Sequence, residues 1–246
     1  MDRFVSHYRL LECLGTGGAG EVFKAEDVRL GRIVALKLLD RPTDGMLEEA
    51  RAAASVNHPN VATVYDVGEY DGRPYIALEY VDGETLASRL SRGTLDIAEA
   101  LDIAILAARA LEAAHGAGLV HGDVTASNIA LAADGSVKVL DFGLSRRVHT
   151  VAGAAGTPGY VAPEQLGSAP VDGRADLFSL GVVLYEMLAG ARPFGRESWR
   201  RELLESEPPP LSRYRDDAPL ELERIVRRAL ERDRDTRYGT AGEFAA

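Results

Sequence analysis

In the first third of the chain, apolar residues recur with a period of two in short runs, each closed by glycine or a polar pair. Arg9–Leu14, Glu21–Ala25 and Ile33–Leu38 read as three strands, with Gly15–Gly20 as the turn between the first two. A helical pattern follows from about Gly45 to Val56, then two further strands near Val61–Val67 and Tyr75–Tyr80. After Val81 the period changes to that of helix. Asp96–Ala117 is a long amphipathic stretch with Leu101, Ile105, Ala108 and Leu111 at helical spacing, and Phe178–Leu188 and Leu220–Leu230 read the same way. The pattern predicts a small sheet lobe carrying one helix, then a larger helical lobe, joined near Asp82-Gly83. Thr240-Ala241-Gly242-Glu243 is a capping box that announces a helix, yet only three residues follow it. So short a remainder is not expected to hold a helix by itself. The expectation is a last helix cut short, in a domain taken from a longer protein.

Composition narrows the function classes. The chain has 246 residues, enough for one large domain or two small ones, and its 46% hydrophobic and 27% charged residues are ordinary globular usage. A net charge of −10 argues against a nucleic-acid binder, which needs a basic face. The single cysteine, Cys13, excludes an intrachain disulfide framework or a multi-cysteine zinc site. No apolar run is long enough to span a bilayer, and Met1–His7 lacks a signal pattern. A cytoplasmic placement follows, either alone or as the cytoplasmic domain of a longer, membrane-anchored protein.

The chemistry lies in four places. Gly15-Thr16-Gly17-Gly18-Ala19-Gly20-Glu21-Val22 fits G-x-G-x-x-G-x-V, in which bare backbone can approach a phosphate. The next segment reads as a strand, which disfavours a dinucleotide-binding turn. Lys37 closes Val34-Ala35-Leu36-Lys37 one hairpin later, within reach of phosphates. On the following helix, Glu49 shares a face with Ala53 and Val56 and is the expected inward partner of Lys37, whereas Glu48 lies on a wetter face. His121-Gly122-Asp123-Val124-Thr125-Ala126-Ser127-Asn128 contains H-x-D-x-x-x-x-N, and Asp141-Phe142-Gly143 follows. An Asp that accepts a hydroxyl proton, with an Asn and an Asp that can hold Mg²⁺, is what phosphoryl transfer requires.

These motifs, in this order and followed by Ala162-Pro163-Glu164, Asp176–Gly181 and Arg237, closely resemble the protein kinase family from Tyr8 to Arg237. Asn57-His58-Pro59-Asn60 and Tyr75–Gly83 resemble the bacterial Ser/Thr kinases in particular. The resemblance implies an α+β, two-lobed fold: a small antiparallel sheet lobe with one main helix (about 8–81) and a mainly helical lobe (about 84–246). It implies Mg-ATP as cofactor, with Mn²⁺ as an alternative ion, and a protein substrate, the chain itself included. By resemblance, Asp123 is the catalytic base and Lys37 binds the α/β-phosphates and pairs with Glu49. Asn128 and Asp141 ligate the metal. Leu14, Gly15, Thr16, Gly17, Gly18, Ala19 and Gly20 cover the nucleotide. Val22, Ala35 and Ala130 sandwich the adenine, with Leu78 behind it and backbone bonds from Glu79 and Val81. Gly156–Glu164 looks like the substrate-docking loop of Ser/Thr kinases, with Thr157 bonding near Asp123. Asp176 anchors the catalytic loop, and Arg237 pairs with Glu164.

Two positions depart from the family pattern. Gly122 replaces an Arg that meets a phosphate on the activation loop, so weak or absent dependence on loop phosphorylation is expected. Thr125 replaces a Lys that neutralises the γ-phosphate. These departures leave a nucleotide-binding pseudokinase as one alternative. The His-Gly-Asp sequence, shared with small-molecule kinases that resemble the aminoglycoside phosphotransferases, leaves a second. Elsewhere the readings are structural. Cys13 is a small core or edge residue, His58 caps a turn, Trp199 packs half-buried, and Glu207–Pro210 is a stiff loop. Arg224–Arg237 forms a solvated helix face.

Overall fold

The structure, a computed structural model, describes residues 3–17, 20–40, 46–142, 156–167, 170–195 and 198–246, with backbone only at 46–49. Six antiparallel strands form the first sheet: β1 (Phe4–Val5), β2 (Tyr8–Gly17), β3 (Gly20–Asp27), β4 (Arg32–Leu39), β5 (Val64–Tyr70) and β6 (Arg73–Glu79). Their order is β1-β2-β3-β4-β6-β5. The period-two pattern has a direct cause. Val34, Leu36 and Leu38 of β4 pack with Phe23, Ala25 and Tyr75 on one face, while Ala35 and Lys37 turn to the other. The strands run further than their sequence limits: β2 continues through Gly15 to Gly17, where a turn was expected. Helix α1 (Met46–Ala53) follows, shorter than its pattern, and sets Ala50 against Ile76 and Leu78.

The second part is helical around a short sheet. β7 (Gly83–Thr85), β8 (Ile129–Ala132) and β9 (Val137–Val139) pair antiparallel, so Gly83 enters a strand directly after the expected joint. α2 (Leu86–Leu90) begins at the Thr85 cap. α3 (Ile97–Gly116) begins where Asp96 Oδ1 accepts from Glu99 N at 2.8 Å. Its alanines and Leu111 bury one side against α4 (Arg174–Ala189). α4 is apolar nearly all round and sits inside the helical lobe. α5 (Trp199–Glu205) and α6 (Leu220–Ala229) close the outside, with Trp199 half-buried as expected.

The chain end carries the helix that its capping box announces. α7 (Ala241–Ala245) does form, although it is too short to be stable alone. Thr240 Oγ1 accepts from Glu243 N at 3.1 Å, Glu243 Oε2 from Gly239 N at 2.6 Å, and Glu112 Oε2 from Gly242 N at 2.7 Å. Ala241 and Phe244 are buried, Phe244 edge-on to Tyr238. Tertiary packing supplies what the helix length does not. Among the described residues no helix is long and apolar enough to cross a membrane.

Candidate active site

The ladder of β3, β4 and β6 gathers several of the sequence-assigned residues. Val22 stands opposite Lys37, and Lys37 opposite Ile76; Lys24 stands opposite Ala35, and Ala35 opposite Leu78. Cross-strand partners share a face, so Val22, Ala35, Lys37 and Leu78 line the same side of the sheet. Ala130, on β8, is buried and pairs with Thr85 and Lys138. Glu79 ends β6; its N–H donates to Thr63 O at 2.8 Å and its carboxylate takes Lys138 Nζ at 2.7 Å. Val81 follows, half-buried. Leu14, Gly15, Thr16 and Gly17 lie exposed along β2. A Cβ built at Gly15 or Gly17 would meet no atom within 4 Å, so the space over that strand is open. Gly20 pairs with Gly17 and with Leu39. Gly18, Ala19 and the Glu49 side chain lie outside the described residues.

The segment carrying Asp123 hangs from one fully buried carboxylate. A buried charge needs several partners, and Asp176, in the first turn of α4, has three. It accepts from His121 N at 2.8 Å, Gly122 N at 2.7 Å and His115 Nε2 at 2.8 Å. His121 is neutral by its partners. Leu140 O can only accept, so Nε2 holds the proton (2.8 Å), and Asp123 N–H donates to Nδ1 (3.2 Å). Gly122 has φ 75°, a region that favours glycine, and its carbonyl accepts from Gln165 Nε2 at 2.9 Å. Thr125 is buried. Its hydroxyl accepts from Asn128 N at 3.3 Å and caps the short 3-10 turn Ala126–Asn128. The site of the family's lysine is thus occupied by a cap.

The acidic groups converge on this segment. Asp123 Oδ1 accepts from Thr157 N at 2.8 Å. The Asn128 amide Nδ2 donates to Asp123 O at 2.9 Å, which leaves its Oδ1 as the atom open to a cation. Asn128 O accepts from Leu140 N at 2.8 Å, so Asn128 and Asp141 are tied one residue apart. Lys37 Nζ pairs with Asp141 Oδ2 at 2.9 Å. Sequence reading gives Lys37 the partner Glu49, whose side chain lies outside the described residues; among the described residues Lys37 pairs with Asp141. Asp141 itself has φ 60°, an uncommon backbone state for a non-glycine residue and one found at functional sites. An ammonium, a carboxylate, an amide oxygen and an open strand above them fit a metal-bound polyphosphate in donor chemistry.

The docking-loop residues stand beside Asp123. Thr157 reaches it through its backbone N–H. Gln165 Oε1 accepts from Ala162 N at 2.9 Å while its Nε2 holds Gly122, so a single amide locks this loop to the Asp123 segment. Glu164 and Arg237 form the expected pair, two-pronged at 2.6 and 2.8 Å, with the Arg237 side chain fully buried. Residues 143–155, which include Ser145 and Thr150, lie outside the described residues.

Some contributors were not legible in advance. Gln165 and His115 carry no motif signal, because one polar residue in a loop or helix reads as solvated. Asn60 ties the turn after α1 to β9 through Nδ2 to Val137 O at 2.8 Å. His58 Nδ1 accepts from Asn60 N at 3.2 Å, the expected turn cap, and its pKa is lowered by burial and by Arg109. Cys13 is an exposed strand residue, an edge position and not a core one. The arginine run is not a uniform solvated face: Arg232 Nε donates to Leu203 O at 2.7 Å and Arg234 Nη1 to Pro170 O at 2.8 Å.

Comparison with known proteins agrees with this geometry. The family described as "Protein kinase domain" matches residues 8–244. Serine/threonine-protein kinase PknB of Mycolicibacterium smegmatis is 40% identical over 97% of this chain. A probable serine/threonine-protein kinase of Streptomyces coelicolor is 40% identical over 98%. The chain spans 42% and 39% of the length of those two relatives. The crystal structure of the Mycobacterium tuberculosis PknI kinase domain superposes with a TM-score of 0.83 at 32% identity, covering 99% of this chain and 96% of that one. On the match over residues 8–244 and these relatives, this chain belongs to the protein kinase family, on its bacterial serine/threonine branch.

Proposed function

We propose that the chain transfers the γ-phosphoryl group of ATP to serine or threonine hydroxyls of proteins, with Asp123 as the base. The observation that carries this reading is the state of the Asp123 carboxylate. Oδ1 is held by Thr157 N–H at 2.8 Å and Oδ2 takes only a long bond, 3.5 Å, from Asn128 Nδ2, so Oδ2 keeps a lone pair for the proton of an incoming hydroxyl. Lys37 and Asp141 lie on the nucleotide side, and the docking loop lies on the protein-substrate side. Val22, Ala35, Leu78 and Ala130 would hold the adenine, Glu79 and Val81 would offer it backbone groups, and residues 14–20 would cover the phosphates. Asn128 Oδ1 and Asp141 would hold Mg²⁺, which when bound supplies charge neutralisation at the phosphates. The lobes 8–81 and 84–246 would close on the nucleotide about Asp82-Gly83. The protein works where ATP and protein substrates meet, in the cytoplasm.

The Thr125 cap sets the rate. Without an ammonium there, the chain is expected to transfer more slowly than a relative with lysine, by on the order of 10²–10³ for one lost charge-stabilising donor. Mass spectrometry of protein made in bacteria tests the activity. Increments of about 80 Da per modified hydroxyl are expected in the wild type and absent in Asp123→Asn. Wild-type protein without them, or increments retained in the variant, would contradict the proposal.

Activity is proposed not to depend on loop phosphorylation, because Gly122 offers no cation to a phosphate. Thr150→Ala is expected to change the initial rate less than threefold. A loss of more than tenfold would overturn that expectation.

A further inference from the structure

One arginine beside the docking loop meets no carboxylate among the described residues. Arg192, just after the left-handed cap of α4 at Gly190, donates from Nη1 to Pro158 O at 2.6 Å, and its guanidinium lies 5.2 Å from the Tyr160 ring centre. It runs along the backbone at Gly159, where a Cβ would stand 2.7 Å from Nη1. Its only hydrogen bond among the described residues is therefore to a neutral carbonyl. Arg174, Arg201, Arg215, Arg224, Arg232 and Arg237 of this lobe each meet a carboxylate. Glu186, on α4, is engaged by the Tyr160 hydroxyl. In a chain of net charge −10, Arg192 is a half-buried cation with no carboxylate partner among the described residues, and it stands beside the segment that touches the base.

We propose that Arg192 forms a subsite for an acidic side chain of the protein substrate, close in sequence to the acceptor hydroxyl. This rests on the kinase reading above. The placement suits it. Thr157 N–H holds Asp123, and Arg192 grips the next residue's carbonyl, at Pro158. An extended chain advances about 3.3 Å per residue, so the position it would read is sought within three residues of the acceptor. Guanidinium Nε and Nη2 remain as donors for a carboxylate. Arg192 is a specificity residue here, and the chemistry stays with Asp123.

The test uses a peptide set with one fixed serine, carrying Glu, Ala or Lys at each position from three before to three after it. Wild type, Arg192→Ala, Arg192→Lys and Arg192→Glu are assayed for initial rate. The labelled peptides are also titrated by fluorescence anisotropy with a non-hydrolysable ATP analogue present. For an exposed charge pair, wild type is expected to favour Glu over Lys about three- to tenfold at one position. Arg192→Ala brings that ratio to about one, Arg192→Lys keeps most of it, and Arg192→Glu inverts it. Equal losses for Glu and Lys peptides in Arg192→Ala, with the ratio unchanged, would mean that Arg192 only braces the loop and would overturn the subsite. So would the absence of any Glu preference in the wild type. Should no peptide be phosphorylated, the anisotropy ratio still decides the subsite, and the kinase reading alone fails.

Discussion

Arg237→Ala lowers the free energy of unfolding by about 3–5 kcal/mol, because it leaves a buried carboxylate without its partner. Glu164 is almost as enclosed as Arg237, and water cannot take the arginine's place. The loss extends past the pair. Arg237 also donates to the carbonyls of Glu231, Arg174 and Arg232 at 2.6–3.1 Å and stacks 4.9 Å over Phe178. These bonds fasten the docking loop to α4 and to the segment between α6 and α7. In a domain of this size the midpoint temperature falls by roughly 6–20 °C. Urea unfolding with an unchanged slope measures the effect. The double variant Glu164→Leu/Arg237→Met is expected to recover a good part of the loss, since it removes both charges together. A single-variant loss below about 1 kcal/mol would show that the pair is solvated.

Asp176→Asn is expected to lower kcat about 100-fold, the scale of a misplacement near 1 Å at the reacting groups, with KM for ATP within threefold. The carboxylate takes two consecutive backbone N–H groups and one imidazole. An amide offers one acceptor and turns an N–H towards a donor, so the loop that carries Asp123 must shift. Lys37 and Asp141 bind through β4 and the end of β9, not through α4, and the nucleotide site is left in place. Asp176 acts through Asp123 and positions it. Expressing the rate per active site, counted by nucleotide titration, separates this role from a general loss of fold, which lowers the number of active sites and leaves kcat per site as it was. A kcat within threefold of wild type would contradict the positioning role.

The elements were largely legible because burial enforces the pattern. Val34, Leu36 and Leu38 have to share one face of β4, and α4 has to be apolar all round to sit inside the helical lobe. The candidate site was legible where a side-chain type is itself the signal: Lys37, Asp123, Asn128, Asp141, and the Arg237–Glu164 pair. It was hidden where the backbone does the work. Every residue has an N–H, so no motif marks the Thr157 amide that holds Asp123, or the His121 and Gly122 amides that Asp176 gathers. The Lys37–Asp141 pair was hidden too, since no spacing in the sequence marks it. What holds so short a helix as α7, the burial of Phe244, was hidden as well.

The central claim is that Asp123 is the base of a working phosphotransferase. Single-turnover transfer from Mg-ATP to a generic basic protein, compared in wild type, Asp123→Asn and Thr125→Lys, tests it most directly. Slow transfer is expected for wild type, at least about 10³-fold less for Asp123→Asn with ATP affinity kept, and a gain for Thr125→Lys. Wild type that binds ATP yet transfers nothing, or an Asp123→Asn rate within tenfold of wild type, would contradict it.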